Sequence, residues 1–218
     1  MTTVCTTLFD QDTNPARILA GFVSMKTKPE NTGDANMDAD QQEVRRCLDG
    51  DSDAYARIVE RHQSRVSSMM WRFTRQPVDH AELVQDVFVE VYRSLHRYKG
   101  RAPFEHWLSR IATRTGYRYW KRRQRDEVLI PIEEWDSAIT WDPAELDPDQ
   151  ASENLFRLLA SLPPRDRLVL TLRYFEDLDV AETAGRTGWS ETMVKVQTHR
   201  ARGKLKTLLE QSAREEKK

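Results

Sequence analysis

Between Tyr55 and Phe73 the side chains of Tyr55, Ile58, Val59, His62, Val66, Met69, Met70 and Phe73 recur at steps of three and four. That is the period of one face of an α-helix, and a strand cannot gather such a set on one side. The spacing returns twice. Leu83, Val84, Val87, Phe88, Val91, Tyr92 and Leu95 line one face of the segment 81–98. Phe104, Trp107, Leu108, Ile111, Ala112, Gly116, Tyr119 and Trp120 line one face of the segment 104–125, a rod of about 33 Å at the helical rise. No stretch alternates with period two for long enough to make a sheet, so an all-α fold is expected. Ser52 is expected to cap the helix around Tyr55 and Pro77 to end it. His62 sits on the apolar face with no second ligand four residues on, and reads as a core histidine.

A second helical block is expected over 152–210. Leu155, Leu158, Leu159 and Leu162 form an apolar stripe closed by Pro163-Pro164, and a helix follows over 166–174. Then Val180 and Ala184 face inward, Gly188 turns the chain and Ser190 caps the next helix. A short helix, a glycine turn and a helix rich in Lys, Arg and polar side chains is the helix-turn-helix pattern. Glu191, Thr192, Lys195, Gln197, His199 and Arg200 would meet base edges in a major groove. The competing reading is a helical hairpin with a solvated basic face.

Charge is segregated although the net is only −1. Residues 93–125 hold eleven Lys and Arg against one acid, Glu105, while residues 126–153 hold ten acids and no Lys or Arg. Within the basic block Arg110, Arg114, Arg118 and Arg122 stack at every fourth position, where like charges repel. Aromatic residues interleave them, at Tyr98, Phe104, Tyr117, Tyr119 and Trp120. Backbone-tracking cations with aromatics between them suit single-stranded nucleic acid, and phosphates would relieve the repulsion. A solvated charged face is the plainer alternative. Glu82, Asp86 and Glu90 make an acidic stripe on the preceding helix.

The domain plan is a polar extension over 1–37, expected to be disordered; a helical domain over 38–125; an acidic linker over 126–151, broken by Pro131, Pro143 and Pro148; a helix-turn-helix domain over 152–210; and a charged tail over 211–218. Cys5 and Cys47 are too few for a disulfide framework or a zinc site. No apolar run can insert in a membrane and no secretory signal precedes the domains, so a cytoplasmic protein is expected. No phosphate-binding glycine loop, nucleophile elbow or paired-carboxylate pattern is present, and neither catalysis nor a cofactor or metal is expected.

Four stretches in order carry a family resemblance: DSDAYARIVERHQSRV, AELVQDVFVEVYRSLHRYKG, FEHWLSRIATRTGYRYWKRRQR and SLPPRDRLVLTLRYFEDLDVAETAGRTGWSETMVKVQTHRARGKL. Residues 40–210 thereby resemble an extracytoplasmic-function (ECF) sigma factor, the specificity subunit of bacterial RNA polymerase. The resemblance implies binding to core polymerase through the β′ clamp helices, by Glu82, Gln85, Asp86 and Glu90, and through the β flap. It implies −10 promoter contacts by Lys99, Arg101, Phe104, Arg110, Arg114, Tyr117, Arg118, Lys121 and Arg122, and −35 contacts by Glu191, Thr192, Lys195, Val196, Gln197, His199 and Arg200. It also implies an anti-sigma factor as a further partner. The chain departs from the family at Arg114 and Arg118, where Asn and Asp are common, and at Val196-Gln197, where Ser-Arg is usual. Gln197 would favour adenine where Arg favours guanine. Thr183 replaces an apolar scaffold residue and is expected to weaken its helix, and Trp189 is large for its turn. The alternatives are a stand-alone helix-turn-helix regulator of duplex DNA and a helical protein that captures polymerase or a sigma regulator without reading DNA.

Overall fold

A computed structural model describes residues 33–127 and 156–215, and every regular element among them is helical. The extension over 1–32, most of the acidic linker and the last three residues lie outside the described residues. Helix α1 spans Gly33–Leu48, α2 Ser52–Met70, α3 Pro77–Ser94 and α4 Phe104–Glu127. Residues 156–160 are helical, and α5 follows at Pro164–Leu170, running into a wider turn at Thr171–Phe175. Helices α6, Val180–Thr187, and α7, Glu191–Glu215, complete the order.

Local chemistry explains most boundaries, sometimes one residue away from expectation. Asp51, not Ser52, caps α2: its carboxylate accepts from the Asp53 and Ala54 amides at 3.0 and 3.2 Å. Asp51 also accepts from Arg46 and Arg57, which Ser52 has no second oxygen to match. Pro77 does not terminate α2, which ends at Met70, but opens α3 at its first turn, where a missing N–H costs nothing. The 3₁₀ turn Leu95–Arg97 ends that helix before the expected Tyr98. Helix α1 begins at Gly33, so residues 33–37 of the expected disordered extension are helical. Asp179 and Glu182 form a reciprocal capping box on α6, and Gly188 ends it at φ 79°, a left-handed conformation that favours glycine.

The expected stripes meet in one core. Ile58, Val66, Met70, Val87, Val91, Leu108 and Ala112 are buried where α2, α3 and α4 pack together. Gly116 permits the closest approach: a Cβ there would lie 2.4 Å from the Phe73 ring. His62 is buried as expected, its Nε2 3.1 Å from both oxygens of Asp40. Burial opposes ionisation of Asp40, yet His62 and Arg61 hold its carboxyl below the usual range. The contact pins α1 to α2. Cys47 is a free, half-buried thiol, while Cys5 lies outside the described residues.

A second cluster, with Leu159, Leu162, Val169, Leu170, Val194 and Ala201, holds the helix-turn-helix unit together. Thr183 is fully buried there, and its hydroxyl donates to the Asp179 carbonyl at 2.7 Å. A polar residue is tolerated in this scaffold position because its hydrogen bond is made internally. The two halves are not separate. Leu168 and Leu172 belong to the first core, and α4 packs against both α5 and α6.

Candidate nucleic-acid and polymerase surfaces

Arg110, Arg114, Arg118 and Arg122 all stand exposed along α4, on the side away from the buried Leu108, Ala112, Tyr119 and Trp120. Arg118 donates to the Thr115 hydroxyl at 3.1 Å and lies 3.8 Å from Glu90, a long, exposed pair worth about 0–1 kcal/mol. The aromatics divide. Trp120 is core: its indole N–H donates to the Phe73 carbonyl at 2.7 Å. Tyr119 is core too, donating to Asp79 at 2.6 Å, and burial followed by that carboxylate raises its phenol pKa. Tyr117 is half-buried, with Lys121 5.8 Å from its ring centroid.

Phe104 cannot serve as a DNA contact. It is 1% exposed and packs among Tyr98, His62 and Trp107, with ring centroids 5.2–5.5 Å away. Its role is to anchor the loop 98–103 from beneath. On that loop Lys99 and Arg101 point outward. Tyr98 donates to the Ala102 carbonyl at 2.8 Å, and Gln41 of α1 donates to the Gly100 carbonyl at 3.3 Å. No signal within the loop sequence points to Gln41, because it lies 59 residues away.

On α3, Glu82, Gln85 and Asp86 are exposed, whereas Glu90 turns partly toward Arg118. The same helix side exposes Val78, Val89 and Tyr92. Apolar side chains beside acids suit a protein partner rather than water. Val89, seven residues after Glu82, was legible as an apolar residue on the polar face. A groove of about 560 Å³ separates α3 from α4, with Asp86 and Glu90 on one wall and Arg118, Lys121, Arg122 and Arg125 on the other.

In the helix-turn-helix unit Glu191, Thr192, Lys195, Val196, His199 and Arg200 are exposed on one stretch of α7. Ser190 caps the helix as expected, accepting from the Met193 amide at 3.2 Å. Gln197 is directed elsewhere. Its amide donates to Asp166 at 2.5 Å, and Lys204 donates to the other oxygen of that buried carboxylate at 2.6 Å. Replacing Gln197 with Ala leaves a buried acceptor short of a partner, which costs about 1–3 kcal/mol. We expect a lower melting temperature and an unchanged −35 base preference, checked by thermal unfolding and by selection from randomised −35 sequences.

Comparison with known proteins matches the same two blocks. Residues 58–126 match the Sigma-70 region 2 family and residues 152–205 match Sigma-70, region 4. The ECF RNA polymerase sigma-E factor of Escherichia coli (strain K12) is 30% identical over 173 residues, covering 75% of this chain and 90% of that protein. The chain belongs to the ECF sigma factor family. The RNA polymerase sigma-E factor of Streptomyces avermitilis is 32% identical over 139 residues, covering 64% of this chain and 75% of the relative. Among solved structures, CnrH in complex with the cytosolic domain of CnrY superposes with a TM-score of 0.54 at 25% identity, over 81% of this chain and 98% of CnrH. Sigma factors of this family are transcription initiation factors and not enzymes, and membership disfavours the stand-alone regulator. In this sigma factor, no helix among the described residues is long and apolar enough to cross a membrane.

Proposed function

We propose that this ECF sigma factor divides promoter recognition between its two helical units. The block 38–125 binds core polymerase through Glu82, Gln85 and Asp86 of α3, with Val89 beside them, against the β′ clamp helices. Its α4 face, with Arg110, Arg114, Arg118, Lys121 and Arg122, and its loop residues Lys99 and Arg101 track the phosphates of the melted −10 strand. The block 152–210 reads the −35 duplex with Lys195, His199, Arg200 and their exposed neighbours, and docks on the β flap. The acidic segment 126–151 threads the polymerase between them. The observation that carries this reading is the arginine row on α4. It stays exposed from Arg110 to Arg122 while the aromatics between its members are drawn inward; among the described residues its countercharge is the long Arg118–Glu90 pair, and phosphates supply the rest. Strand stacking falls to Tyr117, since Phe104, Tyr119 and Trp120 are committed to the core.

The protein itself contributes no covalent chemistry and works in the cytoplasm. An anti-sigma factor is its further partner; the similar CnrH has been solved in complex with a protein, the cytosolic domain of CnrY. The test is in vitro transcription with bacterial core polymerase lacking any sigma, on a fragmented genomic library, with RNA 5′ ends sequenced. Discrete starts that share two upstream elements are expected. Core binding without specific starts would remove the promoter assignment, and absence of both would remove the reading.

A further inference from the structure

We infer that Gln41 of α1 is a positioning residue for −10 selection: through the Gly100 carbonyl it fixes the loop that carries Lys99 and Arg101, and so helps to set which −10 sequence the holoenzyme opens. The inference rests on the −10 assignment of that loop. The base of the loop is well fixed. Tyr98 meets the buried Phe104 ring edge-on with centroids 5.2 Å apart, and its hydroxyl closes the loop on itself by donating to the Ala102 carbonyl at 2.8 Å. The tip is different. Gly100 adopts φ 67°, a left-handed conformation open to glycine at little cost, and brings no side chain to pack. Among the described residues, the tie that reaches this tip from another element is Gln41, whose amide donates to the Gly100 carbonyl at 3.3 Å.

Gln41 is itself held. Its neighbour Asp40 is buried, accepts from Arg61 and lies 3.1 Å from His62 Nε2. The His62 ring in turn tilts against Phe104, with centroids 5.3 Å apart. Two consecutive residues of α1 thus grip the loop from two sides, Asp40 at its base through His62 and Phe104, and Gln41 at its tip. Glycine is what lets the amide lie so close: a Cβ on residue 100 would be 3.1 Å from the Gln41 amide carbon and nitrogen. Lys99 and Arg101, on either side of Gly100, are exposed. A swing of the Gly100 peptide therefore redirects both charges at once.

The positioning role separates from stability. Gln41 and Gly100 are both half-buried, so water can replace a lost donor. Removing the amide costs the fold little and costs the loop its fixed place. Lys99 and Arg101 must then be ordered as the strand binds, which lowers affinity, while the number of phosphate contacts stays the same.

The test uses the full chain assembled with core polymerase and the variant Gln41→Met, which keeps side-chain length and helix propensity without the donor. Templates carry a fixed −35 element and a randomised −10 element, and those that yield RNA are sequenced. A weakened preference at one or more −10 positions is expected. Binding of a −10 non-template oligonucleotide should weaken by about five- to tenfold, with an unchanged slope of log K against log salt and unchanged affinity for core polymerase. Val87→Ala opens a cavity in the core of the same block, outside α1 and the loop. It should lower the melting temperature more than Gln41→Met does and leave the −10 preference intact. Wild-type preference and oligonucleotide affinity in Gln41→Met, or the same loss of preference in Val87→Ala, would overturn the inference. Lys99→Ala combined with Arg101→Ala tests the assignment beneath it, and should lower the slope by about 0.7 per residue. If neither slope nor oligonucleotide affinity moves in that pair, the −10 assignment of the loop fails and the positioning role with it. If both move while Gln41→Met keeps the wild-type preference, the assignment stands and the positioning role alone fails.

Discussion

Reversing Glu82 and Asp86 to lysine is expected to abolish assembly with core RNA polymerase and to leave the fold intact. Both carboxylates are exposed on α3, and neither forms an ion pair among the described residues. Their replacement therefore removes no internal contact. In the complex the effect is large because each reversal loses an attraction and adds a repulsion at a desolvated surface. Truncating one partner of such a pair costs about 2–5 kcal/mol, so two reversals should raise the dissociation constant by at least about a thousandfold. Fluorescence anisotropy of labelled protein with core polymerase checks this, with circular dichroism melting as the control on fold. Glu90→Lys should have a smaller effect, because Glu90 already leans toward Arg118. An unchanged affinity for the double reversal would withdraw the clamp assignment.

Arg114→Ala combined with Arg118→Ala is expected to weaken promoter complexes and flatten their salt dependence. Each phosphate contact releases counterions, so the slope of log K against log salt should fall by about 0.7–0.9 per arginine. Neither side chain is in the core. Arg114 is exposed, and among the described residues Arg118 makes the Thr115 bond and the long Glu90 contact. The fold should survive. Open-complex formation measured from about 50 to 200 mM salt gives the slope, and an unaltered slope would return the row to a solvated surface.

The residues behind both expectations are visible in the chain, and so is most of the fold. The helical spacing of Ile58 to Phe73 and of Leu83 to Leu95 named the core faces. Gly188 and Ser190 marked the turn and cap. The basic α4 row was legible as an exposed stripe, and His62 as a core residue. Ends were less legible. Pro77 is as good a helix opener as a helix breaker, and Asp51 outcompeted Ser52 because a carboxylate can cap the helix and bind Arg46 and Arg57 at once. Phe104 looked like a stacking residue because aromatic identity says nothing about which side of a loop it faces; its burial depends on Tyr98, His62 and Trp107 arriving around it.

By itself the sequence determined the helices, their apolar faces, the segregation of charge and the family. All of these are written in spacings of a few residues, where backbone geometry alone sets which side chains are neighbours. Only the tertiary structure decided that Gln197 serves Asp166, that Gln41 holds Gly100, and that Glu176 locks onto Arg72. Those partners lie 31, 59 and about a hundred residues apart. No local period encodes such a pairing, and which polar groups meet is settled only when the apolar faces have packed and the remaining donors and acceptors must be satisfied.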